Sequence, residues 1–258
     1  MKSKRLLVFL LVIVVLLILG YLWPYFTGKT INDANNGKDV SKNEFGIVTR
    51  VVDGDTIHVN ISGKDEIVRM LGINTPEKKK PYYQEAKNFL VDMVENKSVE
   101  LLIDKEDVDR YERKLRYVFY EDMFVNVEIV QAGFATTFML DELKYRDKFV
   151  NAEKFARTNG VGLWKQSYDK CGGCIKLVKL DPIVDYFIIK NECDFNCNLS
   201  GWIVKDDANH FFYINSLNGF EEMKYDSLII FKKEVWNDIG DRFFMRDEMG
   251  NLVLFYEY

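Results

Sequence analysis

The chain has 258 residues and a net charge of −5, with 19 Phe, 14 Tyr and 4 Trp. That length holds one large domain or two of ordinary size, and the aromatic content supplies a sizeable core, which excludes general disorder. The negative balance excludes a protein that grips nucleic acid by bulk basicity, so any anionic ligand needs locally placed cations.

Lys2, Lys4 and Arg5 precede an uninterrupted apolar run from Leu6 to Leu19, which continues through Tyr21 and Trp23 to Phe26. Leu6 to Trp23 is 18 residues, at the short end of what spans a bilayer, and Tyr21 and Trp23 suit its interface. No small-x-small cleavage pattern follows. Residues 1–26 are therefore predicted to form an uncleaved signal anchor, a membrane helix with its basic end inside. The protein is then a single-pass membrane protein with its domains outside the cytoplasm. The alternative is a cleaved signal peptide and a secreted protein. Residues 27–44 are polar, rich in Asn, Gly and Lys and without periodicity, and read as a linker.

From residue 45 strand patterning begins. Residues 46–53 are strand-like, Gly54 marks a turn, and Thr56–Ile61 alternates again. Ser62, Gly63 and Lys64 read as a hairpin turn before residues 66–71. Ala86, Phe89, Leu90, Met93 and Val94 fall at helical spacing within residues 81–95. Residues 99–103 and 115–120 read as strands, and 126–132 and 146–157 as helices, the latter closed by Asn159-Gly160. Mainly β with α, this pattern predicts a small barrel with packed helices over residues 45–168.

Beyond Trp164 the helical signal fades. Short strand-like segments at 175–180, 186–190, 201–205, 211–214, 227–231, 242–245 and 252–256 are separated by turn residues. They predict a β-sandwich over residues 171–258. All four cysteines lie at its entry, as Cys171-x-x-Cys174 and Cys193-x-x-x-Cys197. Their close paired spacing suits a four-thiolate structural zinc site, whereas an exported location suits disulfides, and both readings stay open.

Three clusters in the first region carry chemistry. One is Asp53-Gly54-Asp55-Thr56, two acids at a tight turn. Another runs from Arg69 to Glu77 and on into Lys78, Lys79 and Lys80. In the third, Arg113 follows a charged turn. Carboxylates hold hard cations, a glutamate orients or deprotonates water, and two guanidiniums clamp a phosphodiester. Together these are the parts of a metal-assisted phosphodiester hydrolase. His58 and His210, the only histidines, are assigned no catalytic role.

The segments "VVDGDTIHV", "VRMLGINTPE", "DRYERKLRYV", "VQAGFATTF" and "FVNAEKFARTNGVGLW" closely resemble the staphylococcal nuclease (thermonuclease) family, in the right order over about residues 45–165. The resemblance implies a five-stranded OB-fold barrel with three helices and calcium-dependent cleavage of DNA and RNA. Carried over by position, it makes Asp55 a calcium ligand and matches Asn74 to a second metal-binding aspartate, with Thr75 offering its carbonyl. Arg69 and Arg113 would bind the phosphate, Glu77 would act on the attacking water, and Tyr111 would lie near the substrate. Lys78, Lys79 and Lys80 would flank the site and attract the phosphate backbone. Two residues depart from the family pattern. Asn74 lacks the formal charge of the aspartate, which implies a weaker metal site, and Glu112 stands where the family often has glycine, which implies either a strained turn or a slight repulsion of substrate.

"NECDFNCNLSGWIVKDDANHFFYI" together with the stretch from Asp226 to Tyr258 resembles a lamin tail domain, an immunoglobulin-like sandwich. That resemblance implies a docking or nucleic-acid-proximal module without catalysis, and Trp202 as a core residue. The expected protein is a membrane-anchored nuclease with DNA or RNA as substrate, Ca2+ as cofactor and no small-molecule cofactor. Its rival is a catalytically weak or inactive surface protein that holds nucleic acid, favoured by Asn74 and the overall acidity.

Overall fold

The computed structural model describes residues 43–139 and 142–258. The membrane helix predicted over 1–26 and nearly all of the 27–44 linker lie outside the described residues. Among the described residues no helix is long and apolar enough to cross a membrane.

Five strands close into a barrel: β1 (Glu44–Val51), β2 (Thr56–Ile61), β3 (Lys64–Met70), β5 (Ser98–Leu102) and β6 (Lys114–Tyr120). Sheet order runs β3-β2-β1-β5-β6, and parallel pairing of β3 with β6 closes the circle. That closure is the topology of an OB-fold, and it leaves these strands no open edge. Val48, Ile57, Val59, Val68, Leu101 and Val118 fill the interior. Short β4 (Ile73–Asn74) pairs with β8 (Thr136–Thr137), and β7 (Met123–Phe124) extends β6.

Helix α1 (Tyr83–Val94) buries Ala86, Leu90 and Val94, a single stripe at four-residue spacing. Helices α2 (Val125–Gln131) and α3 (Arg146–Asn159) pack on the same core through Ile129, Val130, Phe149 and Ala152. Gly160 ends α3 in the left-handed conformation that L side chains resist. Gly133, at φ 78 in the "VQAGF" motif, is required by space as well. A Cβ there would stand 2.3 Å from the Val161 carbonyl oxygen.

Two further sheets share a second core. One holds β9 (Ile175–Asp181), β10 (Tyr186–Asn191) and β13 (Glu222–Asp226), in the order β13-β10-β9. The other holds β11 (Ile203–Lys205), β12 (Phe211–Tyr213), β14 (Arg242–Arg246) and β15 (Leu252–Glu257), in the order β12-β11-β14-β15. Phe187, Trp202, Phe212, Trp236 and Phe243 occupy the space between them, with Phe187 edge-on to Phe212 at 5.0 Å.

One expected strand is a helix. The apolar run Ser227–Phe231 forms α4, because Asp226 caps it by accepting a hydrogen bond from the Ile229 amide at 3.3 Å. Leu228, Ile229 and Ile230 are exposed, so the alternation a strand needs is absent, and the actual strand is the preceding β13.

The zinc reading of the cysteines is overturned. Cys171 is bonded to Cys197 and Cys174 to Cys193, and no free cysteine remains among the described residues. All four sulfurs are consumed in covalent pairs, so no thiolate is left to ligate a metal.

The two cores meet along a small apolar contact of Ala156, Trp164, Phe244 and Leu252. Ser167 N donates to the Leu252 carbonyl at 2.8 Å, and Leu252 N donates to the Lys165 carbonyl at 2.7 Å. Arg242, buried at the junction, joins them electrostatically. Its Nη1 lies 2.7 Å from Glu153 Oε2 on α3, its Nε lies 2.8 Å from both carboxylate oxygens of Asp207, and its Nη2 donates to the Thr137 carbonyl.

Candidate functional site

Three turns at one end of the barrel bring the sequence clusters to a common groove of about 590 Å³. The first is the β1–β2 turn with Asp53 and Asp55. Asp55 is buried, and its Oδ2 accepts the Thr75 amide at 3.0 Å and the Thr75 hydroxyl at 2.8 Å. Its Oδ1 accepts the Thr56 hydroxyl at 3.0 Å and lies 3.3 Å from Arg69 Nε. Asp53 Oδ1 accepts the Asp55 amide, at 3.1 Å. Burial, and then the charge of Asp55, push the Asp53 carboxyl up to about 6.

Arg69 comes from the end of β3, opposite Thr56 in the β2–β3 register. Two backbone carbonyls hold its guanidinium, Met70 at 2.7 Å and Ile73 at 2.9 Å, so its direction is set before any substrate arrives. Asn74 ends β4, whose pairing with β8 steers the chain past the barrel mouth through Thr75 and Pro76 to the exposed Glu77.

The third turn supplies Arg113. Asp109 organises it, its Oδ1 accepting the amides of Tyr111 at 2.9 Å and Arg113 at 3.0 Å. Asp109 Oδ2 takes Arg113 Nε at 2.8 Å. Burial raises the Asp109 carboxyl, but the Arg113 and Tyr111 hydrogen bonds outweigh it and hold the group below its ordinary range. Glu112 adopts φ 62, the left-handed region that favours glycine, at a cost of about 1 kcal/mol. The strain expected of the sequence departure at this position is therefore real.

Asp55, Arg69, Asn74, Thr75, Glu77, Lys78 and Arg113 all line the groove. The other residues assigned from sequence do not. Tyr111 is exposed with its ring against Arg110 and Arg113, at 4.8 and 5.4 Å. Lys79 is exposed away from the groove lining. Lys80 turns to the second core, where its Nζ donates to the Tyr213 hydroxyl at 3.0 Å and lies 4.2 Å from the Phe211 ring centre.

His58 bridges Asp65 and Arg50, each at 2.7 Å, and His210 bridges Asp206 at 2.6 Å and Lys233 at 2.7 Å. Both rings are occupied in supporting roles. Among the groove residues that the sequence reading did not assign, Lys87 and Arg110 add two cations to the lining. Asp53 passed as a turn acid, and Ala208 and Asn209 come from the β11–β12 loop of the second core.

Among the described residues no group of three or more His, Cys, Asp or Glu side chains forms a metal cluster. A hard cation accepts carbonyl and amide oxygens too, and such oxygens stand beside the carboxylates here. Asp53 and Asp55 repel each other in a half-buried turn, with Thr75 and Asn74 on the same wall. This oxygen-only set fits a cation such as Ca2+, with Asp53 the least saturated carboxylate.

Residues 67–166 match the family described as staphylococcal nuclease homologue. A thermonuclease of Staphylococcus intermedius is 36% identical over 132 residues, which cover 48% of this chain and 79% of that protein. The chain belongs to the staphylococcal nuclease family. Within that family, an endonuclease YncB of Bacillus subtilis is 33% identical over 144 residues, covering 51% of this chain and 68% of the relative. An uncharacterized protein of Methanocaldococcus jannaschii is 29% identical over 171 residues, or 55% of this chain and 82% of its own. The groove described above is built from the part of the chain that carries the family match, with Asp53 and Asp55 just before it and Ala208 and Asn209 beyond it.

Proposed function

We propose that the chain is a calcium-dependent nuclease that hydrolyses phosphodiester bonds of DNA or RNA outside the cytoplasm. Family membership supports the nuclease, and relatives named thermonuclease and endonuclease agree with it. The single observation that carries the mechanism is the convergence of Arg69, Glu77, Arg113 and the Asp53–Asp55 pair on one groove.

In this reading Arg69 and Arg113 receive the scissile phosphate. Charge builds on its equatorial oxygens during attack, and guanidinium donors already aimed by Met70, Ile73 and Asp109 stabilise it without reorganising. Glu77, exposed at the groove wall, takes a proton from the attacking water. Asp53, Asp55, Asn74 and Thr75 would hold the calcium ion. When bound, that ion supplies charge neutralisation beside the phosphate. Lys78 draws the polyanion toward the groove.

The localisation proposal rests on the apolar run of residues 1–26, an anchor that leaves a linker over 27–44, a catalytic barrel over 45–168 and a second module over 171–258. Paired cysteines throughout support an oxidising compartment. The second module is proposed to be lamin-tail-like, supported by its paired antiparallel sheets and by the buried Trp202.

Asn74 favours a second reading, in which nucleic acid is held without cleavage. Its amide nitrogen donates to the Asp207 carbonyl at 3.0 Å, so the position matched to a metal-binding aspartate holds a neutral group with a structural bond. The test compares the full-length chain with Glu77→Gln on single-stranded DNA, in calcium and in chelator. We expect calcium-dependent cleavage that falls about 1,000-fold in the variant. Tight binding with no cleavage in either condition would sink the nuclease and leave the holding role.

A further inference from the structure

The β11–β12 loop, residues 206–210, leaves the second core and reaches the barrel's groove. The Asp207 carbonyl accepts Asn74 Nδ2 at 3.0 Å, and Asn209 Nδ2 donates to Glu77 Oε1 at 3.3 Å. Ala208 and Asn209 line the same groove as Arg113 and Asp55. Glu77 itself sits at an exposed turn after Pro76, where a glutamate side chain has several rotamers of similar energy.

The loop is not loosely laid there. Buried Asp206 accepts the His210 amide at 2.7 Å and the His210 ring at 2.6 Å, closing the loop on itself. Asp207 spends its carboxylate on Arg242, which is anchored in turn to Glu153 of the barrel's α3. Asn209 lies at φ 64, a backbone conformation that asparagine accepts better than most residues. The Asp206 and Asp207 ties, with the Asn74 bond to the Asp207 carbonyl, therefore present the Asn209 amide to one carboxylate oxygen of Glu77.

We propose that Asn209 is a positioning residue for the nuclease reaction: it restricts the Glu77 carboxylate so that its second oxygen faces the water-attack side of the groove. The inference rests on the nuclease reading above. It makes the second module part of the working site and not only a docking appendage. The Asn74 amide acquires a purpose as well. An aspartate there would set a carboxylate against the Asp207 carbonyl, whereas the amide donates to it and keeps the loop seated.

The full-length chain, Asn209→Gly and Asn209→Asp are compared for kcat, KM and melting temperature on single-stranded DNA in calcium. Both replacements tolerate the left-handed backbone. Asn209→Gly is expected to lower kcat about tenfold with KM and melting temperature nearly unchanged, the size of one lost hydrogen bond to a charged group. Asn209→Asp is expected to lose more, because it places a second carboxylate beside Glu77. Wild-type kcat in Asn209→Asp would overturn the inference while leaving the nuclease standing, even if Asn209→Gly folds poorly. Absence of cleavage by the unaltered chain overturns the nuclease reading and takes this inference with it.

Discussion

Two clusters of arginine and carboxylate lie near each other in this molecule and behave oppositely. At the junction, Arg242 is matched by Glu153, Asp207 and the Thr137 carbonyl. Glu153 also accepts the Thr137 amide at 2.7 Å and the Thr137 hydroxyl at 3.1 Å. Burial alone would favour the neutral arginine, but Glu153 and Asp207 outweigh it and raise its proton affinity. In the groove the count does not close. Asp53 has neutral donors from Asp55 and Thr56 but no cation of its own, and burial, followed by the charge of Asp55, weakens its acidity. Composition is the same in both places. What separates a strut from a reactive site is whether the charges consume one another.

The largest effect that tests this contrast is at the strut. Arg242→Met should lower the unfolding free energy by about 3–5 kcal/mol in urea titration, since Glu153 and Asp207 are left buried without their cation. A loss below about 1 kcal/mol would break the contrast.

Asp53→Asn should do the reverse and stabilise the chain by about 2 kcal/mol at pH 7 in chelator. The sign follows from the raised pKa of the folded state. Between the ordinary value of 3.8 and about 6, the folded state keeps a proton that the unfolded chain has released. Stability from this group is therefore greatest at low pH and falls as pH rises through 6, so the gain in the variant should vanish near pH 3.5. Equal gains at both pH values would mean that Asp53 is not under electrostatic load.

The smallest effect separates the lysines. Lys78→Ala should flatten the dependence of single-strand affinity on salt by about 0.7 in log–log slope, the contribution of one phosphate contact. Lys80→Ala should leave the slope unchanged, because its ammonium is held by Tyr213 and Phe211. Equal slopes for the two variants would remove the distinction between a free and a committed cation.

How far the sequence disclosed all this depends on the reach of each interaction. Arg69, Glu77 and Arg113 stood out as charged residues at turns and strand ends, while their roles and that of Asn74 were carried over from the family resemblance. The hydrogen bonds that aim the two arginines run between residues at most four positions apart. Arg113 is aimed by Asp109 within one turn. The barrel was legible for a related reason, since alternation in β2 and the helical stripe in α1 announce their buried faces. Asn209 was not legible, because it meets Glu77 across 132 positions and from a loop of the second core. Lys80 looked like its two neighbours until Tyr213, 133 positions away, claimed it. Ser227–Phe231 misled because a run of large apolar residues suits a buried strand, while one capping carboxylate decided for a helix. Cysteine spacing left metal and disulfide equally open, since partner choice depends on where β9 and β10 bring their ends.

Those ends have a consequence for recovery from heat or denaturant. Cys171 and Cys174 stand just before β9, and Cys193 and Cys197 just after β10, so the nested bonds tie the open mouth of one antiparallel hairpin. An oxidised chain that has lost every other contact still keeps Ile175 near its partner Asn191. Loop closure for that pair is already complete, and the slow search for strand register is confined to what remains. The hairpin serves the oxidised molecule as a memory of its second core, retained through unfolding and read first on return.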